Sequence, residues 1–173
     1  LPDRSIWVTF DDGIPDVFRV ALPLLTERGL TATAFVCPGL VDTTTPFWWE
    51  TVERAAALGL GDVSGLSPDD PIANLRRLKQ VDDGERRAVV RDLVARLADS
   101  GDPFASEQAT TTDLEQWLRA GQEIGNHTWD HPCLDRCDPG EQERQIVRAH
   151  EALTELVGSP PDLFAWPNGN AAP

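Results

Sequence analysis

The chain alternates between short apolar runs and amphipathic stretches, a pattern that predicts strands alternating with helices. Apolar residues cluster within residues 5–10 and 31–37, whereas within residues 16–28 they recur every three or four positions. We therefore predict a buried strand, a helix and a second strand. Pro23 lies inside the predicted helix and favours a kink or a late start, and Gly29 suits its C-terminal cap. Strand, helix and strand in succession form a βαβ unit and indicate a parallel sheet.

The middle of the chain, residues 47–110, has helical patterns and no convincing strand. Helices are predicted over 47–58 and 72–78. A third helix is predicted to begin at a capping box formed by residues 82–85 and to run to about residue 98. Glycine and proline separate these helices, so the segment is interpreted as a helical insertion.

The alternation resumes after the insertion. Thr112 and Glu115 have the spacing of a capping box at the start of a helix that ends near residue 120. Strands are predicted over 123–126 and 162–166, and a long helix over 138–157 lies between them. The polar turns of interest all follow strand ends, which is where parallel α/β folds place their functional sites.

Two such turns carry candidate chemistry. Thr9–Gly13 (sequence TFDDG) ends the first strand, and Asn126–Pro132 (NHTWDHP) follows a later one. Two histidines at i, i+4 can share a face of one helical turn. Together with one carboxylate they can bind a divalent cation and leave a coordination position open for water. The candidate ligands are Asp12, His127 and His131.

The paired carboxylates of the first turn are expected to divide two tasks. Successive side chains of a regular strand point to opposite faces, so Asp11 and Asp12 cannot both reach one site from a strand. At the strand end the backbone can twist, and Gly13 permits the φ that this needs. Asp12 can then bind the cation while Asp11 stays free as a base, a combination that points to hydrolysis.

Four tryptophans can either stack on a sugar face or pack in a core. They are Trp48, Trp49, Trp129 and Trp166. Trp129 and Trp166 lie in the candidate site turns and are therefore preferred as a binding wall. The insertion is interpreted as a helical cap on the flank of the fold, or else as a lid that supplies Trp48 or Trp49 to a substrate groove.

Composition excludes several function classes. The chain has 173 residues, 15 basic and 29 acidic side chains and a net charge of −14. This length favours one domain, and the acidic balance argues against binding to nucleic acid or anionic lipid. No apolar run approaches the roughly 20 residues of a membrane span. The chain has no methionine, so we expect that a leader was removed or that a longer protein contains it.

The three cysteines do not form a disulfide scaffold. Cys133 and Cys137 follow His131 closely. They are interpreted as small buried or partly exposed thiols, with a local disulfide as an alternative. A thiolate metal site normally has two close pairs of cysteines, whereas this chain has one. His150, within the last long helix, is interpreted as a surface residue.

Four runs resemble the polysaccharide deacetylase family, also described as the chitooligosaccharide deacetylase homology domain or carbohydrate esterase family 4. They are Thr9–Gly13, Ala32–Val36, Glu123–Pro132 and Phe164–Gly169. The resemblance covers about residues 5–170 except the insertion, and the first and third runs are its most specific parts. It implies an α/β fold, a distorted (β/α) barrel, within a single domain at 1–173 that carries the 47–110 insertion.

The resemblance also implies a reaction. Family members use a divalent metal, commonly zinc, to remove acetyl groups from polysaccharides. Asp11 matches the catalytic base, and Asp12, His127 and His131 match the metal ligands. A metal-bound water would be the nucleophile, and N-acetyl is preferred to O-acetyl. The substrate would be an acetylated polysaccharide or oligosaccharide, held by a wall drawn from Trp129, Trp166, Pro167, Asn168 and Gly169. A backbone N–H near Asn168 would help to hold the oxyanion.

The sequence departs from the family pattern at two places. Ala165 occupies a position where many members have an arginine that pairs with the base. A Leu-x-x-His segment carrying the general acid is absent, so the barrel is expected to be incomplete at its C-terminus. Two other functions stay open: a non-catalytic carbohydrate-binding domain on the same fold, and a metal amidohydrolase of small molecules. By resemblance, the location is expected to be the bacterial cell envelope or the exterior.

Overall fold

A three-stranded parallel sheet forms the centre of the fold in a computed structural model that describes residues 4–169. The strands are β1 (Val8–Phe10), β2 (Ala32–Val36) and β3 (Glu123–Asn126), in the order β1-β2-β3. The predicted domain also includes residues 1–3 and 170–173, which lie outside the described range. The predicted βαβ unit and parallel sheet are confirmed, whereas closure into a barrel stays a prediction.

The strand register brings the carboxyl ends of all three strands to one edge. Phe10 pairs with Ala34, and Val36 pairs with Asn126. The turns after β1 and β3 therefore flank the end of β2, as expected for the functional edge of a parallel sheet.

The first strand is shorter than predicted. Ile6 is 90% exposed and Trp7 is 50% exposed, so the prediction of a buried strand from residue 5 was wrong at its start. The Trp7 side chain contacts residues of β2, where its indole N–H donates to the Thr33 hydroxyl at 3.1 Å and its ring lies edge-on to Phe35. A run of apolar residues does not reveal which of them the neighbouring strands will cover.

The predicted strand over 162–166 is reduced to a single bridge between Asn126 and Phe164. The Asn126 amide donates to Leu163 O at 2.8 Å, and the Ala165 amide donates to Asn126 O at 3.0 Å. These two hydrogen bonds place the segment before Trp166 beside β3.

The first crossover combines a π-helical segment, Val17–Ala21, with α1 (Leu22–Glu27). Pro23 lies in the first turn of α1, where its missing amide hydrogen costs little. The chain is already helical before Pro23, because the π-helical segment runs directly into α1, so the alternative of a late start was wrong. Gly29 has φ 62°, as expected for a glycine just past a helix end.

The insertion forms three helices: α2 (Trp48–Ala57), α3 (Pro71–Leu78) and α4 (Asp83–Asp99). They enclose a hydrophobic core of their own. The capping box predicted at the start of α4 was wrong, because the Asp82 side chain accepts no capping hydrogen bond and Asp83 instead pairs with Arg86 and Arg87. The buried core residues of these helices and their links are Trp48, Val52, Ala55, Val63, Leu66, Leu78, Val89, Leu93 and Leu97.

Two further helices, α5 (Thr111–Arg119) and α6 (Pro139–Val157), complete the layer against the sheet. The capping box of α5 consists of Thr110 and Asp113, so the prediction of Thr112 and Glu115 was wrong. Both pairs have the required spacing, but Asp113 is also bound by Arg19, which fixes the helix start at Thr110. None of the helices within 4–169 has the length and apolar character needed to cross a membrane.

Candidate metal centre

A tight turn after β1 separates the two carboxylates. The Gly13 amide donates to Asp11 O at 2.8 Å, and Asp12, at the centre of this turn, has φ 71°. Gly13 has φ 73°, and a Cβ there would lie 3.1 Å from the Val36 side chain. Positive φ is uncommon outside glycine but is tolerated by aspartate. The turn leaves Asp11 exposed while Asp12 is partly buried. The division of roles between a base and a metal ligand stays a prediction.

The histidine loop is not the helical turn that the i, i+4 spacing predicted. Thr128 has φ 70° and His131 has φ 59°, values that an α-helix excludes. The His127 amide donates to Val36 O at 3.1 Å, and the Asn126 side-chain oxygen accepts from the Thr128 amide at 2.8 Å. The chain therefore leaves β3 and bends back on itself, and this bend brings the two imidazoles together.

One carboxylate oxygen faces both imidazoles. Oδ1 of Asp12 lies 3.3 Å from Nε2 of His127 and 3.1 Å from Nε2 of His131. Ligands about 2.0–2.2 Å from a tetrahedral zinc ion are separated from one another by about 3.3–3.6 Å. Among the described histidine, cysteine, aspartate and glutamate residues, these three form the group whose ligand atoms are close enough to bind one metal ion.

The hydrogen bond on the other side of the His127 ring supports a cation at this point. Nδ1 of His127 lies 2.9 Å from Ala165 O, and a carbonyl can only accept, so Nδ1 carries the proton. Nε2 of His127 is then the ring nitrogen that faces the Asp12 carboxylate, at 3.3 Å. A metal-binding histidine is commonly held in this way, with its other ring nitrogen bound to a carbonyl.

The pKa of Asp12 reflects this environment. Burial opposes ionisation of its carboxyl group, but hydrogen bonds and charge from His127 and His131 outweigh burial and hold the pKa of Asp12 well below its ordinary value. The carboxylate is therefore ionised near neutral pH, as a metal ligand must be.

A pocket of about 380 Å³ opens over the three candidate ligands. Asp11 lines this pocket but is not part of the ligand group. Sequence reasoning missed Leu75 and Lys79, which the insertion contributes. Lys79 is the only lysine in the chain, and that was the one signal that could have singled it out. The full lining is Asp11, Asp12, Trp49, Leu75, Lys79, His127, His131, Asn168 and Gly169.

The insertion acts as both a cap and a wall of this pocket. Trp49 lines the pocket, and its ring lies 4.7 Å from that of His131. Trp48 is buried in the core of the insertion, and its indole N–H donates to His131 O at 3.2 Å. The insertion is therefore a packed unit that also lines the pocket, whereas its role as a lid over substrate stays a prediction.

Trp129 does not line the pocket. It is half-buried against Gly39, and the Arg148 guanidinium lies 3.6 Å from its ring centroid. Trp166 is 39% exposed and packs edge-on against Phe164, 5.1 Å away, also outside the pocket lining. A role for these two tryptophans in binding sugar stays a prediction.

The turn Pro167–Gly169 approaches the candidate ligands more closely. Asn168 and Gly169 line the pocket, while Pro167 is buried and is not part of the lining. Asn168 has φ 59°, and its side-chain amide donates toward the Cys133 sulfur at 3.6 Å. Their contact with substrate stays a prediction as well.

The cysteines take no part in the ligand group. Cys37, Cys133 and Cys137 are buried and free, so the alternative of a local disulfide was wrong. Burial raises the pKa of Cys137 to about 12, and burial also raises the pKa of Cys133. The predicted buried thiols are confirmed.

The family model described as polysaccharide deacetylase matches residues 1–172. The chain belongs to the polysaccharide deacetylase family. It is 36% identical over 56 residues to the peptidoglycan-N-acetylmuramic acid deacetylase PdaC of Bacillus subtilis, a match that covers 32% of this chain and 12% of PdaC.

Solved structures have the same fold. A deacetylase of Streptococcus pyogenes, PplD, is 19% identical with a TM-score of 0.58, and the match covers 99% of this chain and 50% of that one. A family 4 carbohydrate esterase from Streptomyces lividans is 17% identical with a TM-score of 0.52, over 96% of this chain and 52% of that one. This polysaccharide deacetylase family chain thus spans about half the length of these neighbours.

Proposed function

We propose that this protein is a metal-dependent hydrolase that removes acetyl groups, N-acetyl in preference to O-acetyl, from a polysaccharide or oligosaccharide. The observation that carries the proposal is a single oxygen, Oδ1 of Asp12, at 3.3 and 3.1 Å from two imidazole nitrogens. A second carboxylate, Asp11, lines the same pocket outside the ligand group.

Asp12, His127 and His131 would hold the cation. Two nitrogens and one oxygen suit zinc, with an open fourth position. The cation would polarise the acetyl carbonyl and make a water more acidic. The chain holds His127 ready for this role, because the Ala165 carbonyl fixes the ring so that Nε2 faces the site.

Asp11 is proposed as the base. It would take a proton from the attacking water while the water oxygen bonds to the acetyl carbon. Breaking the carbon–nitrogen bond, as the nitrogen takes up a proton and Asp11 gives up its own, then yields acetate and an amine on the sugar. The exposure of Asp11 at the pocket gives it access to that water.

The proposal of an N-acetyl sugar is supported by PdaC, whose name describes a deacetylase of N-acetylmuramic acid in peptidoglycan. The half-buried Trp49 ring provides an apolar surface beside the candidate ligands, on which a sugar face can stack. Such substrates lie in the bacterial envelope, so we propose an exported or envelope-associated protein, which cell fractionation would test.

The decisive experiment measures acetate release from an acetylated glucosamine oligomer by the purified protein. The protein is assayed after metal removal, after re-addition of zinc, and with a chelator present, and metal content is measured in parallel. Release that depends on zinc supports the proposal. Binding of the oligomer without release under any metal condition would favour the non-catalytic carbohydrate-binding function instead.

A further inference from the structure

The two candidate histidine ligands are held in different ways. His127 has a hydrogen-bond acceptor on the far side of its ring, the Ala165 carbonyl. Nδ1 of His131 is buried and has no hydrogen-bond partner among the described residues. The orientation of His131 must therefore come from packing and from its own loop.

The packing comes from the insertion. The Trp49 and Phe47 rings lie edge-on to the His131 ring, at 4.7 and 6.2 Å between centroids. The Trp48 indole N–H holds the backbone of His131 by donating to its carbonyl at 3.2 Å. These contacts all come from the start of α2, so one face of His131 is fixed by the insertion.

The residue before His131 is clamped by α4. Both terminal nitrogens of the Arg87 guanidinium donate to the two oxygens of Asp130, each at 2.8 Å. Arg87 is itself fixed by Asp83, one turn earlier on α4, at 2.6 Å. A bidentate pair between planar groups restricts orientation as well as distance, so the Asp130 side chain is tied to a rigid helix.

The opposite side of the same loop is fixed by α6. The Gln145 side-chain oxygen accepts from the backbone amides of Trp129 and Asp130, at 3.1 and 3.2 Å. Gln145 in turn donates to Glu141 at 3.0 Å. Asp130 is thus held by its backbone from α6 and by its side chain from α4. Because His131 follows Asp130 directly, a rotation of the Asp130 backbone would move the His131 ring.

We propose that Arg87 is a positioning residue that, through Asp130, sets the orientation of His131 as a metal ligand. The inference rests on the proposed function, since it concerns affinity for the proposed cation. It gives the insertion a role in the metal centre, in addition to its role as a wall of the pocket. Outer partners of metal ligands commonly change affinity by about 10- to 100-fold when they are removed.

The test measures the dissociation constants of zinc and cobalt, by competition with a coloured chelator and by the cobalt visible spectrum. The variants are R87M and D130N. We expect both to bind about 10- to 100-fold more weakly than the parent and to show an altered cobalt spectrum. R87K keeps the charge but loses the bidentate geometry, and it should lie between R87M and the parent.

The chain offers a matched control in R54M. Arg54 also leaves a helix of the insertion to pair with a carboxylate, Asp102, at 2.7 Å, but neither residue contacts the histidine loop. If Arg87 acts only on stability, R87M and R54M should change metal affinity equally or not at all. Metal-free thermal unfolding shows whether each variant is folded. Should R87M fail to fold, D130N decides the question.

The double variant R87M/D130N completes the test. If Arg87 acts through Asp130, the effects of the two substitutions should not add. The double variant should then bind zinc as weakly as the weaker-binding single variant. If the parent binds zinc and R87M and D130N bind it equally well, the positioning role is overturned and the proposed function stands. If the parent binds no zinc or cobalt, the proposed metal centre itself fails.

Discussion

Nδ1 of His127 donates to the backbone carbonyl of Ala165 at 2.9 Å, which ties the turn after β3 to the segment beside it. Because the acceptor is a backbone oxygen, any type of residue at position 165 can supply it. The alanine found where many family members have an arginine therefore leaves the orientation of His127 intact. The position of the candidate ligand His127 therefore does not depend on the side chain at position 165.

The two neighbouring aspartates provide the sharpest test of the proposed roles. Asp11→Asn should lower kcat by about 10²- to 10⁴-fold, because it removes the base, and should leave zinc affinity unchanged. Asp12→Asn should weaken zinc binding by more than about 100-fold, because it removes the anionic ligand. Acetate release and zinc competition are measured on both variants.

This pair also has an internal control. Asparagine has nearly the same volume as aspartate, so neither variant leaves a cavity, and metal-free thermal unfolding shows whether each variant is folded. Equal losses of zinc affinity in both would contradict the division of roles between Asp11 and Asp12.

Trp49→Ala tests the wall that the insertion contributes. Trp49 lines the pocket, so its removal should raise KM for an acetylated oligomer by about fivefold, which corresponds to about 1 kcal/mol of aromatic contact. A small acetylated ester reaches fewer parts of the pocket and should be affected less. Steady-state kinetics on the two substrates measures the difference.

Trp48→Phe is the matched control for that prediction. Trp48 is buried and does not line the pocket, and phenylalanine keeps most of its packing while removing the N–H that donates to His131 O. It should change both substrates by the same factor. Oligomer-selective loss in Trp48→Phe, with none in Trp49→Ala, would show that the assignment of the two tryptophans is reversed.

Strand ends and residue types were enough to predict the three candidate ligands, because parallel strands bring their carboxyl ends to one edge. The helical turn predicted for the histidines was wrong because long-range hydrogen bonds determine the loop. Gln145 accepts from the amides of Trp129 and Asp130, and Trp48 donates to His131 O, in addition to the local bond between Asn126 and the Thr128 amide. No local pattern encodes the contacts of Gln145 and Trp48, which lie outside the loop in the chain.

Local sequence patterns also could not predict which side chains the insertion contributes to the pocket. Lys79 ends α3, and its spacing to neighbouring residues looks like that of any exposed helix end. Only the packing of α2, α3 and α4 on one core brings it into the lining of the pocket that Asp11 also lines. Trp129, by contrast, lies in a site turn but faces Gly39 and Arg148, because the bend at Thr128 directs it away.

The single lysine permits a test of pocket occupancy. An amine-reactive acylating reagent should modify Lys79 and the N-terminal amine, and a bound acetylated oligomer should slow modification of Lys79 severalfold, because Lys79 lines the pocket. Mass spectrometry measures both rates in one sample, and the N-terminal amine serves as the control. Equal protection of both amines, or of neither, would place the oligomer elsewhere.

Asp113 should make the stability of the protein fall at low pH. It accepts hydrogen bonds from Arg19 at 2.9 Å and from the Thr110 amide at 2.9 Å. Burial opposes its ionisation, but these partners outweigh burial and lower the pKa of Asp113. A carboxyl group with a lowered pKa binds fewer protons when folded than when unfolded, so it stabilises the fold above its unfolded pKa of about 3.9.

That contribution should disappear as the pH falls from about 4 through the lowered pKa of folded Asp113. Asp113→Asn keeps the volume and an acceptor for the Thr110 amide but removes the charge paired with Arg19. At pH 7 its free energy of unfolding should be about 1 kcal/mol below that of the parent, and the difference should shrink toward pH 3. Urea unfolding of both proteins at several pH values measures this. A difference that is constant with pH would show that the ion pair with Arg19 contributes nothing through the charge of Asp113.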